Sequence, residues 1–168
     1  MRQMTGDNLK AAFAGESQAH MRYLIFADKA AKEGRADVAR LFRAIAYAER
    51  VHATNHYRGL DGIGETGDNL AVAINGETFE VEEMYPAYLD VAKLQGEKRA
   101  QTSMNYALET EKIHAKLYQA ARQAILDGVE FKVGTISVCD VCGYTIEGEL
   151  PEKCPICNAP GEKFKSFA

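Results

Sequence analysis

The stretch Glu49-Arg-Val-His-Ala53 recurs almost unchanged as Glu111-Lys-Ile-His-Ala115. A Glu-x-x-His pair places both side chains on one face of a helix, one turn apart. There the carboxylate can bridge two metal ions while the imidazole binds one. One such pair often occurs by chance, but here there are two, on alternate predicted helices, and each has a Glu on the preceding helix. This repeat predicts a metal site enclosed by helices.

The sequence around the repeat favours helix throughout residues 1–132. It contains one proline, Pro86, and is rich in Ala, Glu, Lys, Arg and Leu. Hydrophobic period and glycine stops predict four helices, at 7–33, 36–58, 75–95 and 97–127. Asn75 is the expected N-cap of the third helix, and Pro86 is expected to distort it. With its four glycines, 59–67 reads as a loop, so the predicted fold is a ferritin-like four-helix bundle with one long crossover.

Every predicted helix carries one or two carboxylates within an apolar or aromatic stripe. Carboxylates brought together in a core repel one another and lose hydration, and a metal cation removes that cost. The alternative is that these Glu lie on solvated faces, as most do, but it weakens when all four helices show the same pattern. The candidate metal-ligating and catalytic residues are Glu16, Glu49, His52, Glu77, Glu80, Glu111 and His114.

Glu80 is the one candidate without a counterpart in the repeat, which pairs Glu16 with Glu77, Glu49 with Glu111 and His52 with His114. We hypothesise that Glu80 competes with His52 for one metal, with the carboxylate favoured on the ferric ion and the imidazole on the ferrous ion. The alternative is a solvated Glu within an acidic run. Identical ligands in crystals of the oxidised and reduced protein would contradict the hypothesis.

The composition changes after residue 132, because all four Cys and three of the four Pro lie beyond it. A segment this small needs a stabilising cross-link, such as a disulfide or a bound metal, in order to fold. Two Cys-x-x-Cys knuckles provide four thiolates for zinc or one iron, and disulfides are disfavoured in the expected cytoplasmic compartment. Gly143, Tyr144 and Pro155 favour iron. The predicted domains are 1–132 and 133–168, and the tail ligands are Cys139, Cys142, Cys154 and Cys157.

Overall composition narrows the functional class. The chain has 168 residues and a net charge of -4, so no basic excess favours nucleic-acid binding. No apolar run reaches the length of a membrane span. The N-terminus lacks the apolar region of a secretory signal, so we expect a cytoplasmic protein.

Taken together, the motifs resemble rubrerythrin in order and over nearly the whole chain: Phe13-Ala-Gly-Glu-Ser-Gln-Ala19, both Glu-x-x-His pairs, Gly76-Glu-x-x-Glu-x-x-Glu-Met-Tyr-Pro86 and the Cys tail. The resemblance implies a di-iron bundle and a rubredoxin-like tail holding one iron. Glu49 and Glu111 would bridge the two irons. One iron would also bind Glu16 with Glu80 or His52, and the other would bind Glu77 and His114. Tyr23 and Tyr85 would hydrogen-bond these ligands, or serve only as core aromatics. The tail departs from free rubredoxins in its shorter inter-knuckle loop and lack of Trp.

The expected activity is a peroxidase that reduces hydrogen peroxide to water, with two Lewis-acidic irons supplying two electrons. The resemblance implies that the tail iron returns electrons from rubredoxin or its NAD(P)H-dependent reductase, within a homo-dimer or larger homo-oligomer in which one subunit's tail lies near another's bundle. Two alternatives remain open. One is a ferroxidase or iron-handling protein, and the other is a di-metal protein with a structural zinc ribbon.

Overall fold

The computed structural model describes residues 1–168 and is mostly helical, with a small strand region at the C-terminus. The helices are α1 (Gln3–Lys32), α2 (Ala36–Gly59), α3 (Thr66–Phe79), a π turn (Glu80–Met84), α4 (Tyr85–Leu94) and α5 (Lys98–Leu126). The strands are β1 (Ile136–Cys139), β2 (Thr145–Glu147) and β3 (Phe164–Phe167), with a 3₁₀ turn at Gly161–Lys163. Because α3, the π turn and α4 follow one another without a break, they make one helix of the predicted four.

The chain divides into two compact units, Met1–Gly64 and Glu65–Ala168. The first unit is the α1–α2 hairpin. The second contains α3, α4, α5 and the cysteine-bearing tail. The predicted division into a bundle at 1–132 and a tail at 133–168 stays a prediction.

Three of the predicted glycine stops are confirmed. Gly34, Gly96 and Gly128 have φ of +73°, +72° and +68°. In each case the glycine N–H and the next N–H donate to carbonyls of the last helical turn, as in the Gly34–Ala31 and Arg35–Ala30 pairs at 3.0 and 2.9 Å. This arrangement closes the helix end and requires a left-handed residue, which glycine adopts at least cost.

The end of α2 differs from the prediction. Gly59 remains helical, and Asp61 takes the left-handed conformation at φ +54°. Gly62 follows, where a Cβ atom would lie 2.7 Å from the Tyr57 ring. The next helix begins at Thr66 rather than Asn75, so the predicted N-cap is wrong and the connection is only residues 60–65. The apolar run at 70–74 explains the longer helix, because it supplies residues that continue the helical turn.

Small residues allow α1 and α2 to pack closely in the first unit. Ala39, Ala46 and Ala53 recur every seven residues on α2 and are buried. The His20 Nδ1–H donates to the Ala46 carbonyl at 2.7 Å across the hairpin. This hydrogen bond gives the His20 ring a role in joining the two helices of the hairpin.

In the second unit, the tail forms a three-stranded antiparallel sheet in the order β2-β1-β3. The loop before β2 packs on α5 of the same chain, because a Cβ atom added to Gly143 would lie 3.7 Å from the Thr110 methyl group. This contact brings the cysteine knuckles beside a helix that carries predicted metal ligands.

None of the helices combines the length and the apolar character that a membrane crossing requires.

Candidate metal centres

The first group of predicted ligands forms within the α1–α2 hairpin. Glu16 of α1 faces Glu49 and His52 of α2, and their donor atoms all lie within 4.8 Å of one another. His52 Nδ1 lies 3.0 Å from Glu49 Oε2 and 3.8 Å from Glu16 Oε1. The one-turn spacing of Glu-x-x-His accounts for the shorter of these distances.

The second group repeats this arrangement within the second unit. Glu77 of α3 meets Glu111 and His114 of α5, again with all donor atoms within 4.8 Å. His114 Nδ1 lies 2.7 Å from Glu111 Oε2. The structure thus collects six of the seven predicted ligands into two triads, each with two carboxylates and one imidazole.

The electrostatics of the second triad favour the binding of a cation. Burial, a hydrogen bond with Glu111 and the charge of Glu111 raise the pKa of Glu77 from 4.5 to about 7, against a smaller lowering by His114. Burial also raises the pKa of Glu111. A carboxyl group that keeps a proton near neutral pH, as Glu77 does, belongs to a site where a metal ion would bind in place of that proton. The donor set therefore fits a divalent or trivalent iron.

We expect the thermal stability of the metal-free protein to fall as the pH rises from about 5 to about 8. Glu77 binds its proton more tightly when folded, because its pKa is about 7 rather than 4.5. That contribution is fully present below about pH 4.5 and is lost as the pH rises through about 7. Calorimetry should show Tm falling by a few degrees over this range. Glu77→Gln should flatten the slope, and an equal slope in both proteins would contradict the assignment.

Glu80 lies at the start of the π turn, beside the second triad but outside it. Burial and the charge of Glu77 raise its pKa, while His114 lowers it. The predicted distortion near Pro86 is confirmed as this π turn, which comes immediately before Tyr85 and Pro86. Such turns are frequent at functional sites.

The π turn also accounts for the position of Tyr85. In an uninterrupted α-helix Tyr85 would lie about 80° around the axis from Glu77, since each residue advances about 100°. An i→i+5 turn winds more slowly and brings the two residues towards one face. Burial and the charges of Glu80, Glu111 and Glu77 raise the pKa of Tyr85, and its predicted hydrogen bond to a ligand stays a prediction.

Tyr23 has different surroundings. Its ring lies 6.4 Å from Phe26 and 6.1 Å from Phe42, between ring centroids. These aromatic contacts within the hairpin agree with the interpretation of Tyr23 as a packing residue. Its predicted hydrogen bond to a ligand stays a prediction.

The four cysteines converge in the tail, and all are free thiols. The Sγ atoms of Cys139 and Cys157 are 3.7 Å apart, and those of Cys142 and Cys154 are 3.4 Å apart. A tetrahedral ion with metal–sulfur bonds of about 2.3 Å needs neighbouring sulfurs about 3.8 Å apart. Cys139 and Cys154 are buried, with at most 1% of their surfaces exposed. The cluster therefore fits one tetrahedral metal ion.

Hydrogen bonds from backbone N–H groups make the pKa values of the cysteine thiols differ from one another. Burial acts to raise the pKa of Cys154, but N–H groups of Cys157 and Ile156 lower it overall. For Cys142, burial dominates and raises the pKa. Hydrogen bonds of this kind to sulfur tune the potential of an iron–thiolate site.

Comparison with known proteins agrees with this geometry. The protein-family model described as Rubrerythrin matches residues 7–122, which carry both triads. The chain belongs to the rubrerythrin family. A second family model, described as "Rubrerythrin, rubredoxin-like domain", matches residues 138–165, which contain all four cysteines.

Individual relatives cover nearly the whole of this rubrerythrin-family chain. Rubrerythrin-2 of Clostridium acetobutylicum is 44% identical over 98% of this chain and 97% of its own. Nigerythrin of Nitratidesulfovibrio vulgaris is 36% identical over 97% of this chain and 86% of its own. The solved structure of nigerythrin in a mixed-valence state matches with a TM-score of 0.54 at 35% identity, covering 97% of this chain and 86% of that one.

Family membership confirms the mostly helical fold and iron as the cofactor, with Glu and His groups for a di-iron site and four cysteines for a rubredoxin-like iron. Rubrerythrins are generally di-iron proteins of oxidative stress, and membership indicates oxidoreductase activity.

Sequence reasoning missed two residues beside the second triad. Thr145 Oγ1 lies 2.9 Å from His114 Nε2, and Thr110 Oγ1 lies 3.4 Å from the Cys142 carbonyl. Neither threonine belongs to a recognisable motif, so only the packing of the tail on α5 identifies them.

Proposed function

We propose that this chain is a non-haem di-iron peroxidase that reduces hydrogen peroxide to water with electrons delivered through its four-cysteine iron. Each turnover consumes one peroxide, two electrons and two protons and yields two water molecules. The observation that carries the proposal is the hydrogen bond between His114 on α5 and Thr145, which follows the first cysteine pair, because it links the four-cysteine site to a carboxylate–histidine triad within one unit.

The ligand roles follow the resemblance. Glu49 and Glu111 are the proposed bridging carboxylates, Glu16 and His52 complete one set, and Glu77 and His114 complete the other. Bound iron supplies Lewis acidity and the two electrons. The protein's part is to hold four carboxylates and two imidazoles in two triads whose charge repulsion only a cation relieves.

The carboxyl groups of the second triad also manage protons. Glu77, with a pKa of about 7, holds a proton on its carboxyl oxygen near neutral pH and releases it when a cation binds. Glu80 has a raised pKa of its own and lies outside the triad. We propose that its carboxyl oxygen carries one of the protons that convert the oxygen atoms of hydrogen peroxide to water.

Glu80 also remains the proposed alternative to His52 as an iron ligand. The surroundings of Glu80 support this, because burial and the charge of Glu77 raise its pKa, and a cation bound beside it would favour its ionised form. Crystals of the oxidised and reduced protein should differ in which of the two residues binds iron. Identical ligands in both would contradict the exchange.

The proposed partners are hydrogen peroxide, an external donor (rubredoxin or its NAD(P)H-dependent reductase) and further copies of this chain. Large apolar side chains exposed on α1 and α2, among them Phe26, Leu41 and Ile45, support a homo-oligomer. Four reduced thiols support the cytoplasm as the compartment.

Metal analysis combined with a peroxide assay tests the function. We expect about three irons per chain, a red iron–thiolate absorption that reductant bleaches, and consumption of peroxide that depends on the donor. Zinc in the tail would favour a structural zinc ribbon. Retention of an iron mineral, with peroxide reacting no faster than oxygen, would favour a ferroxidase. Either result would contradict the proposal.

A further inference from the structure

In the second unit, one threonine links His114 of the second triad to the residue that follows Cys142 of the cysteine cluster. Thr145, the first residue of β2, places its Oγ1 2.9 Å from Nε2 of His114 on α5. The same hydroxyl lies 2.9 Å from the carbonyl oxygen of Gly143, the residue that follows Cys142. Thr145 is 5% exposed, so water does not readily replace either bond.

The proton positions in this link follow from its chemistry. A carbonyl oxygen can only accept, so the single hydroxyl proton of Thr145 is donated to Gly143. The hydroxyl can then only accept from His114, and therefore Nε2 must carry a proton. This leaves Nδ1, which lies 2.7 Å from Glu111 Oε2, as the nitrogen on the ligand side.

The other histidine of the repeat provides an internal comparison. His52 Nδ1 lies near Glu49 and Glu16, as the repeat requires. Its side chain is 53% exposed, against 29% for His114. His114 is held at both nitrogens, by Glu111 and by Thr145.

The loop that immediately precedes Thr145 packs against α5. Gly143 has φ +82°, and a Cβ atom added to it would lie 3.7 Å from the methyl group of Thr110, one turn before His114. Thr110 is 2% exposed and its hydroxyl donates to the Tyr106 carbonyl at 2.8 Å. Thr145 itself pairs with Val138 of β1. These contacts fix the hydroxyl relative to the imidazole.

The surroundings of the link are apolar. His114 and Thr145 lie at the wall of a cavity of about 330 Å³, whose other lining residues include Leu117, Tyr118, Ile136 and Val138. A hydrogen bond beside apolar side chains is stronger than one in water, and an unpaired partner there costs more. Loss of the hydroxyl would therefore leave the His114 N–H without a substitute acceptor.

We propose that Thr145 is a positioning residue that holds His114 with Nε2 protonated and Nδ1 directed at the iron ligands, and that it connects His114 to the cysteine loop through two hydrogen bonds. The electron role rests on the proposed function, whereas the positioning role does not. With iron in both sites, the two hydrogen bonds of Thr145 would lie between the tail iron, which would lose one electron, and the bundle iron, which would gain it, with no atom transferred.

The test replaces Thr145 with Val, which keeps the shape but lacks the hydroxyl, and with Ser, which restores it. Thr102→Val is the matched control, because Thr102 lies on the exposed surface of α5 and bonds only the Lys98 carbonyl. In the zinc-loaded full chain, proton NMR should show a slowly exchanging His114 imidazole N–H in wild type, Thr145→Ser and Thr102→Val. Thr145→Val should lose it.

Two iron measurements complete the test. Loss of a hydrogen bond to a ligating histidine typically weakens metal binding by about 10–100-fold. We expect Thr145→Val to release bundle iron to a chelator that much more readily, with slower reoxidation of the tail iron and an unchanged red spectrum. Thr145→Ser should behave as wild type. An unchanged His114 signal and iron retention in Thr145→Val, or equal defects in Val and Ser, would overturn the proposal. If peroxide fails to oxidise even the wild-type protein, the proposed function fails, while the NMR and retention results still decide the role of Thr145.

Discussion

Replacing Cys154 with serine is expected to remove the red chromophore and to reduce donor-linked peroxide consumption to background. Cys154 is fully buried among the other three thiols, 3.4 Å from Cys142 Sγ. The strands of the tail are only three or four residues long, so the metal supplies most of its folding free energy. For small metal-held domains that contribution is about 10 kcal/mol or more.

The same variant should keep the chemistry of the bundle. When it is loaded with excess iron, reduced chemically and mixed with peroxide, the bundle iron should still be oxidised once, because its direct ligands lie outside the tail. Disorder of the tail would remove the Thr145 bond to His114, so this iron should be held more weakly than in wild type. Ile156→Val is the matched control, because it changes the same knuckle without removing a thiolate. Donor-linked turnover at the wild-type rate in Cys154→Ser would show that electrons do not enter through the tail.

Replacing Glu111 with glutamine should have an effect of similar size on the other metal centre. The side chain keeps its shape but loses the charge that sits between Glu77 and His114. We expect bundle iron affinity to fall by about 100-fold or more, leaving about one iron per chain in an intact tail. Iron analysis and the visible spectrum measure both quantities.

Glu109→Gln is the control for this change. Glu109 lies on the same helix, two residues away, and pairs with Lys112 at 2.6 Å near the surface. It should keep full iron content and activity. A Glu111→Gln protein that retains the full iron content would exclude Glu111 as a bridging ligand.

The chemistry of the sites could be predicted from sequence because it depends on local periodicity. Glu-x-x-His brings its two side chains together within one helical turn, and the structure places Glu49 with His52 and Glu111 with His114 accordingly. Two Cys-x-x-Cys knuckles likewise predict their own cluster. The glycine stops at 34, 96 and 128 are equally local.

Features that depend on tertiary packing could not be predicted in this way. The end of α2 is set by Asp61 and by the Tyr57 ring against Gly62, so the helix continues through Gly59. The start of α3 at Thr66 was missed because Gly67 and Gly76 resembled loop and boundary residues. The link between Thr145 and His114 depends on how the tail packs on α5, which no spacing in the sequence encodes.

Anaerobic titration of the fully reduced protein with hydrogen peroxide tests the central claim most directly. If all three irons are ferrous and electrons can pass between the two sites, each chain supplies about three electrons. Because each peroxide accepts two electrons, complete oxidation requires about 1.5 molecules of peroxide per chain. The account predicts this endpoint, with the red iron–thiolate absorption restored in full by peroxide alone. An endpoint of about one peroxide per chain with the tail still bleached, or no reaction beyond the rate with oxygen, would contradict it.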